Sequence, residues 1–170
     1  MEVVCSSRSQ YQLKNYESHL NNSGRGRGLA IFYRKDVQHI EDENSENISI
    51  TRVVSKDIDI IAVYRSQDGC LTTLIKKLHD IINLSKTTLI IGDMNVCNKD
   101  KPNNLLKKQL IEKSFRPIVN EATHIEGGHI DHAYILNHGN FEANPDIEIL
   151  PKYYSDHDSI CISLRKKQTN

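Results

Sequence analysis

The chain has 170 residues, long enough for one domain with a sizeable core. Its 22 Lys and Arg balance 22 Asp and Glu, so no net charge draws it to nucleic acid or to a membrane, and any charge that serves a site is local. No apolar run approaches the roughly 20 residues of a membrane span, and MEVVCSSRSQ at the start lacks the basic region and apolar core of a signal peptide. Cys5, Cys70, Cys97 and Cys161 stand far apart with no C-x-x-C pair. They read as reduced thiols of an intracellular protein, nuclear or cytoplasmic.

In chain order, the polar segment NYESHLNN is followed by the glycine-rich SGRGRG and a strand, GLAIFYR (28–34). KDVQHIEDENSEN (35–47) reads as a polar loop, and ISITRVV (48–54) and IDIIAVYR (58–65) are β-branched strands joined by a tight SKD turn at 55–57. Leu71, Leu74, Ile75, Leu78, Ile81 and Ile82 recur at three and four, with Lys76, Lys77 and Asp80 on the other side, which is an amphipathic helix. TTLIIGD (87–93) is almost wholly apolar, as a strand buried on both faces should be. NLLKKQLIEK (104–113) fits a second helix, and HAYIL (132–136), IEIL (147–150) and SICISL (159–164) are further strands. The tail 165–170, RKKQTN, reads as frayed. No repeat or composition shift marks a second domain, so residues 1–170 are taken as one. The expected class is α/β or α+β, with stacked sheets covered by helices.

Three stretches put polar residues where strands end. In LIIGDMNV, Asp93 and Asn95 emerge after Gly92; an extended chain would point both side chains the same way. Such a pair can orient water and hold a phosphate oxygen, although an Asx turn has the same look. In ATHIEGGHIDHAYIL, Asp131 opens an apolar strand among His124, His129, His132 and, just beyond, His138. Their spacing matches no common structural zinc pattern and the cysteines lie elsewhere, so these histidines read mostly as loop or surface residues. In YYSDHDSI, Asp156 is a hard oxygen ligand suited to magnesium or manganese. His157 is an acid, base or charge stabiliser if a carboxylate such as Asp131 orients it. A serine-headed turn is the plain alternative.

GDMN, GGHIDHAYI and YYSDHD, in this order and each at a strand end, resemble the endonuclease/exonuclease/phosphatase superfamily. The resemblance runs from about Gly24 to Leu164, with GRGLAIFYR similar to the family's early glycine-led strand and IIAVYR to the strand that bears its active-site tyrosine. It implies a DNase I-like two-sheet β-sandwich flanked by helices, hydrolysing phosphoesters with Mg2+ or Mn2+. By resemblance Asp93 orients or deprotonates the attacking water, Asn95 and Tyr64 contact the phosphate, Asp131 pairs with the catalytic His157, and Asp156 is the metal-associated carboxylate. The short spacings resemble endonuclease domains of mobile elements, including those accompanying Helitron-type helicases. Nucleic acid, namely DNA, and a helicase or other part of a larger mobile-element protein are therefore the expected partners.

The sequence also departs from that pattern. Family members open with a strand bearing an asparagine and a second ending in Gln-Glu, whose glutamate binds metal. Here neither is visible, so the fold is expected to lack its first strands, and Glu2 and Glu17 are the only acids before Gly24. Two functions remain open: a metal-dependent DNA endonuclease, impaired or not, and a catalytically silent nucleic-acid-binding or structural domain. Arg25 and Arg27 in SGRGRG, and Lys99, Lys101, Lys107 and Lys108, are candidate phosphate contacts, but solvated loops and helix surfaces carry such residues without any function.

Overall fold

In a computed structural model, the structure describes residues 14–22, 28–34, 36–96, 104–153 and 155–167. The centre is a six-stranded sheet of β3 (Val37–Asp42), β4 (Ile48–Ser55), β5 (Asp59–Arg65), β6 (Thr88–Asp93), β8 (Asp131–Leu136) and β7 (Arg116–Pro117), in that order. All neighbours are antiparallel except β5 and β6, which run parallel. A parallel pair needs a crossover connection. Here it is α1 (Leu71–Ile81). After β6 comes α2 (Leu105–Glu112), whose first turn is capped by the Asn104 side chain accepting from Lys107 N.

Alternation along the strands divides the sheet's two faces. Ile48, Ile50, Ile61, Val63, Ile90 and Tyr134 point to one side, where Leu74 and Leu78 of α1 and Leu106 and Leu110 of α2 cover them. The other face is covered by two antiparallel ribbons. One is β1 (Glu17–Asn22) with β2 (Gly28–Tyr33), whose Leu29 and Ile31 pack on Val53 and Ala62. The other is β9 (Asp146–Leu150) with β10 (Ser159–Ser163), whose isoleucines pack on Leu89, Ala133 and Ile135. Among the described residues the ribbons form separate two-stranded sheets. The α/β class thus matches the expectation.

Three expectations need correction. Residues 35–47 are not all loop, because VQHIED forms β3 on the edge of the sheet, with Val37 and Ile40 turned inward and a register shift between Val37 and His39. An edge strand wetted on its outer side carries too many polar residues to look like a strand. NYESHLNN contains β1 for the same reason, and Asn21 is buried where its amide reaches Ile50 O and Thr51 Oγ1. The tail is docked as far as Lys167: Lys166 bridges to Phe141, Lys167 N donates to Asn140 O, and the Arg165 guanidinium meets Asp146 at 2.6 Å.

At the end of the sheet where β5 begins, Asp59 is fully buried between Arg52 and Lys86. The opposite end carries the acidic site.

Candidate active site

The strand register builds the site's floor. Tyr64 pairs with Asp93 across the β5–β6 ladder, and Asp93 with Asp131 across β6–β8. Paired residues share a face, and all three lie on the face away from the helices, because Val63, Ile90 and Tyr134 alternate with them. Gly92 permits this. Its φ is +149°, and a Cβ there would fall 1.8 Å from Val63 O, so only glycine lets β5 and β6 approach at this point.

His157 arrives from the loop before β10. That loop is tied to the segment around Thr123 by main-chain bonds, Ile125 N to Asp156 O at 2.9 Å and Asp158 N to Thr123 O at 2.7 Å. His157 Nδ1 donates to Asp131 Oδ2 at 2.8 Å, and the Thr123 hydroxyl donates to the same oxygen at 2.6 Å. Burial opposes the charged imidazole of His157. The Asp131 hydrogen bond and the charges of Asp131, Asp93 and Asp156 outweigh it, and the pKa is raised.

Asp93 shows the converse. Burial, and then the neighbouring charge of Asp131, push its carboxyl up to about 6 against the pull of two bonds from Asn95. Those bonds run from Asn95 N to Oδ1 and from Asn95 Nδ2 to Oδ2, both at 3.0 Å. The second amide hydrogen goes to Arg65 O at 2.8 Å. With both hydrogens spent, what the Asn95 side chain still offers is Oδ1, an acceptor that suits a cation or a water rather than a phosphate oxygen.

Two overlapping groups can hold a metal ion, Asp93–Asp131–His157 and His124–Asp156–His157, with ligand atoms within 4.8 Å of one another in each. The donor chemistry fits a cation, since two partly buried carboxylates repel each other and a positive charge relieves that repulsion. Asp156 is exposed and offers hard oxygens. His157, donating through Nδ1, keeps Nε2 as a lone pair for an ion or a proton. His124 is the reverse: its Nδ1 accepts from Glu126 N at 3.2 Å, so the proton sits on Nε2, 3.7 Å from Asp156. It stands at the rim as a donor in this arrangement, and Asp156 and His157 are the members of the second group with a lone pair to offer a metal.

The other histidines fall away from this site. His132 is buried, bonded to Tyr134 Oη and to the carbonyls of Val96 and His129, and its pKa is lowered by burial. His138 is exposed past the far end of β8, and His129 enters through its carbonyl. Glu17 opens β1 beside Tyr33, with which its side chain bonds. The ribbon advances toward the site from there, His19 meeting Asp42 and Asn21 meeting Asn44, so Glu17 is at the wrong end to bind metal. Lys107 and Lys108 lie on α2, which packs on the sheet's other face. Cys70 and Cys161 are exposed free thiols. Glu2, Arg25, Arg27, Lys99, Lys101, Cys5 and Cys97 lie outside the described residues.

Thr123 and Arg65 join the site without having stood out in the sequence, and His124, one of the histidines read mostly as loop or surface residues, stands at its rim. Thr-His before a Gly-Gly turn, and an arginine ending an apolar strand, were the available signals.

No family model matches the sequence, and no curated protein matches it either. Solved structures do match in three dimensions. The endonuclease domain of TRAS1, a telomere-specific non-LTR retrotransposon, superposes with a TM-score of 0.65 at 13% identity, over 92% of this chain and 81% of that one. This chain has the endonuclease/exonuclease/phosphatase fold. An AP endonuclease from Archaeoglobus fulgidus shares that fold with a TM-score of 0.65 at 17% identity, over 88% of this chain and 79% of its own. An endonuclease/exonuclease/phosphatase family protein from Leptotrichia buccalis C-1013-b gives 0.64 at 11%, over 91% and 74%. Within the endonuclease/exonuclease/phosphatase fold, the acidic site described above sits at one end of the central sheet, on its helix-free face.

Proposed function

We propose that this chain is a divalent-metal-dependent phosphodiester hydrolase acting on DNA, an endonuclease of mobile-element type. The observation that carries the reading is the Asp131–His157 pair at 2.8 Å facing an acid, Asp93, held near pKa 6. Two of the structural neighbours are endonucleases by description, one of them from a retrotransposon. Both ribbons cover one face of the central sheet, and we read them as parts of the second sheet of a sandwich.

In this reading Asp93 is ionised at neutral pH yet basic enough to take a proton from the attacking water. Asn95 fixes the orientation of that carboxylate through its two bonds. Asp131 and the Thr123 hydroxyl hold His157 in one tautomer, and the raised pKa keeps part of it as imidazolium, which stabilises charge on the phosphate. Tyr64, beside Asp93, contributes a hydroxyl to the phosphate. The Asp93 and Asp131 carboxylates, or Asp156 beside His157, would hold Mg2+ or Mn2+, which would supply Lewis-acid neutralisation of the developing charge.

One observation favours the alternative, a silent nucleic-acid-binding or structural domain: Glu17, the one described glutamate before the first glycine-led strand, is remote from the site. Nicking of supercoiled plasmid decides between the two. Magnesium- or manganese-dependent nicking that EDTA abolishes, and that Asp93→Ala and His157→Ala both lose, establishes the hydrolase. No nicking by folded protein supports the silent domain.

A further inference from the structure

Arg65 follows Tyr64 on β5, and its side chain turns to the opposite face, where it is 6% exposed. A buried guanidinium ordinarily meets a carboxylate. Among the described residues none forms an ion pair with Arg65, whose partners are main-chain carbonyls. Nε donates to Met94 O at 2.7 Å and Nη2 to Asn95 O at 2.8 Å, while Nη1 reaches Gly69 O and Gln67 O. The cradle is shaped for it, since a Cβ on Gly69 would fall 2.7 Å from Arg65 Cγ and 2.9 Å from Asn47 O.

The two carbonyls beyond β6, those of Met94 and Asn95, lie on either side of Asn95. Asn95 has φ +48°, a left-handed conformation open to asparagine more than to most side chains, and one that its surroundings here fix. The guanidinium fork grips the carbonyls of residues 94 and 95, and the Arg65 carbonyl takes one hydrogen of the Asn95 amide. The other hydrogen, with Asn95 N, is thereby aimed at Asp93.

We infer that Arg65 is a positioning residue of the site: it clamps the turn after β6 so that Asn95 holds the Asp93 carboxylate in its working orientation. The fork geometry matters more than the charge, because a lysine ammonium cannot bridge both carbonyls and Gly69 at once. The catalytic consequence rests on the hydrolase reading; the clamp itself does not.

The test therefore has one arm without activity. Hydrogen exchange by NMR should show the Asn95 side-chain amide of the wild-type protein protected at least tenfold relative to free asparagine. In Arg65→Lys it should speed up tenfold or more while Ile90 N–H in β6 stays protected. In the plasmid assay the same variant should lose at least tenfold in kcat, with KM changing less than twofold, a split that general loosening would not give. Unchanged Asn95 exchange in a folded Arg65→Lys overturns the inference, whatever happens to activity. If that variant does not fold, the wild-type protein still answers: an Arg65 Nε–H that is slow to exchange and scalar-coupled to the Met94 carbonyl supports the clamp, and one exchanging as fast as a surface arginine overturns it. Wild-type protein that shows the exchange pattern but nicks nothing refutes the hydrolase and leaves the clamp standing.

Discussion

Asp93 is the place where function and stability pull apart, and Asp93→Asn exposes the conflict. The carboxyl rises from 3.8 to about 6 in the folded chain. At about 1.4 kcal/mol per pH unit this is roughly 3 kcal/mol before screening. Asp93 keeps part of its hydration, and screening brings the expectation to about 1–2 kcal/mol. The sign follows from proton binding. Between about pH 4 and pH 6 the folded chain holds a proton that the unfolded chain has released, so stability falls as pH rises through that window and then levels off. Removing the ionisable group removes the fall. The Asn95 hydrogen bonds favour the ionised carboxyl and are already contained in the net upward shift, so the change between the two pH values reads that net shift. Urea unfolding with EDTA present, at pH 4.5 and pH 7.5, should show Asp93→Asn gaining about 1–2 kcal/mol on the wild type between the two. A gap that does not change with pH would refute the claim that burial and Asp131 strain this carboxylate.

Asp131→Asn keeps the shape of the dyad and removes its charge, so the His157 pKa should fall below the wild-type value, as an NMR titration of its ring protons would show; an unchanged value would mean that Asp131 does not set it. Gly92→Ala drives a Cβ into the Val63 carbonyl, and the loss of about 3 kcal/mol or more should lower Tm by roughly 10 °C. Thermal unfolding followed by circular dichroism measures it, and a fall of only a degree or two would show that β5 and β6 can part at this point.

The strands and helices with one dry face were legible in the residue order, because burial leaves a period of two or of 3.6 in the sequence. That is why α1, β4, β5, β6 and β8 were readable, and why Asp93, Asp131 and His157 stood out as polar residues interrupting apolar runs at strand ends. The edge strands β1 and β3 were not readable, since solvent on one side dilutes the apolar signal that marks a strand. The tail looked frayed because its contacts, Arg165 with Asp146 and Lys166 with Asp57, join residues distant in sequence.

By itself, then, the sequence determined the local elements and the chemical types available at their ends. What it could not determine was proximity. Tyr64, Asp93 and Asp131 become neighbours only through the register of three strands, one parallel and one antiparallel pairing that no local pattern specifies. His157 meets Asp131 because the loop before β10 bonds to the segment around Thr123. The same three-dimensional arrangement separated two kinds of histidine that look alike in the chain, burying His132 against carbonyls and placing His124 at the rim beside Asp156. It also gave Arg65 its partners. Main-chain carbonyls leave no mark in a sequence, so an arginine that binds only carbonyls becomes recognisable once the chain has folded around it.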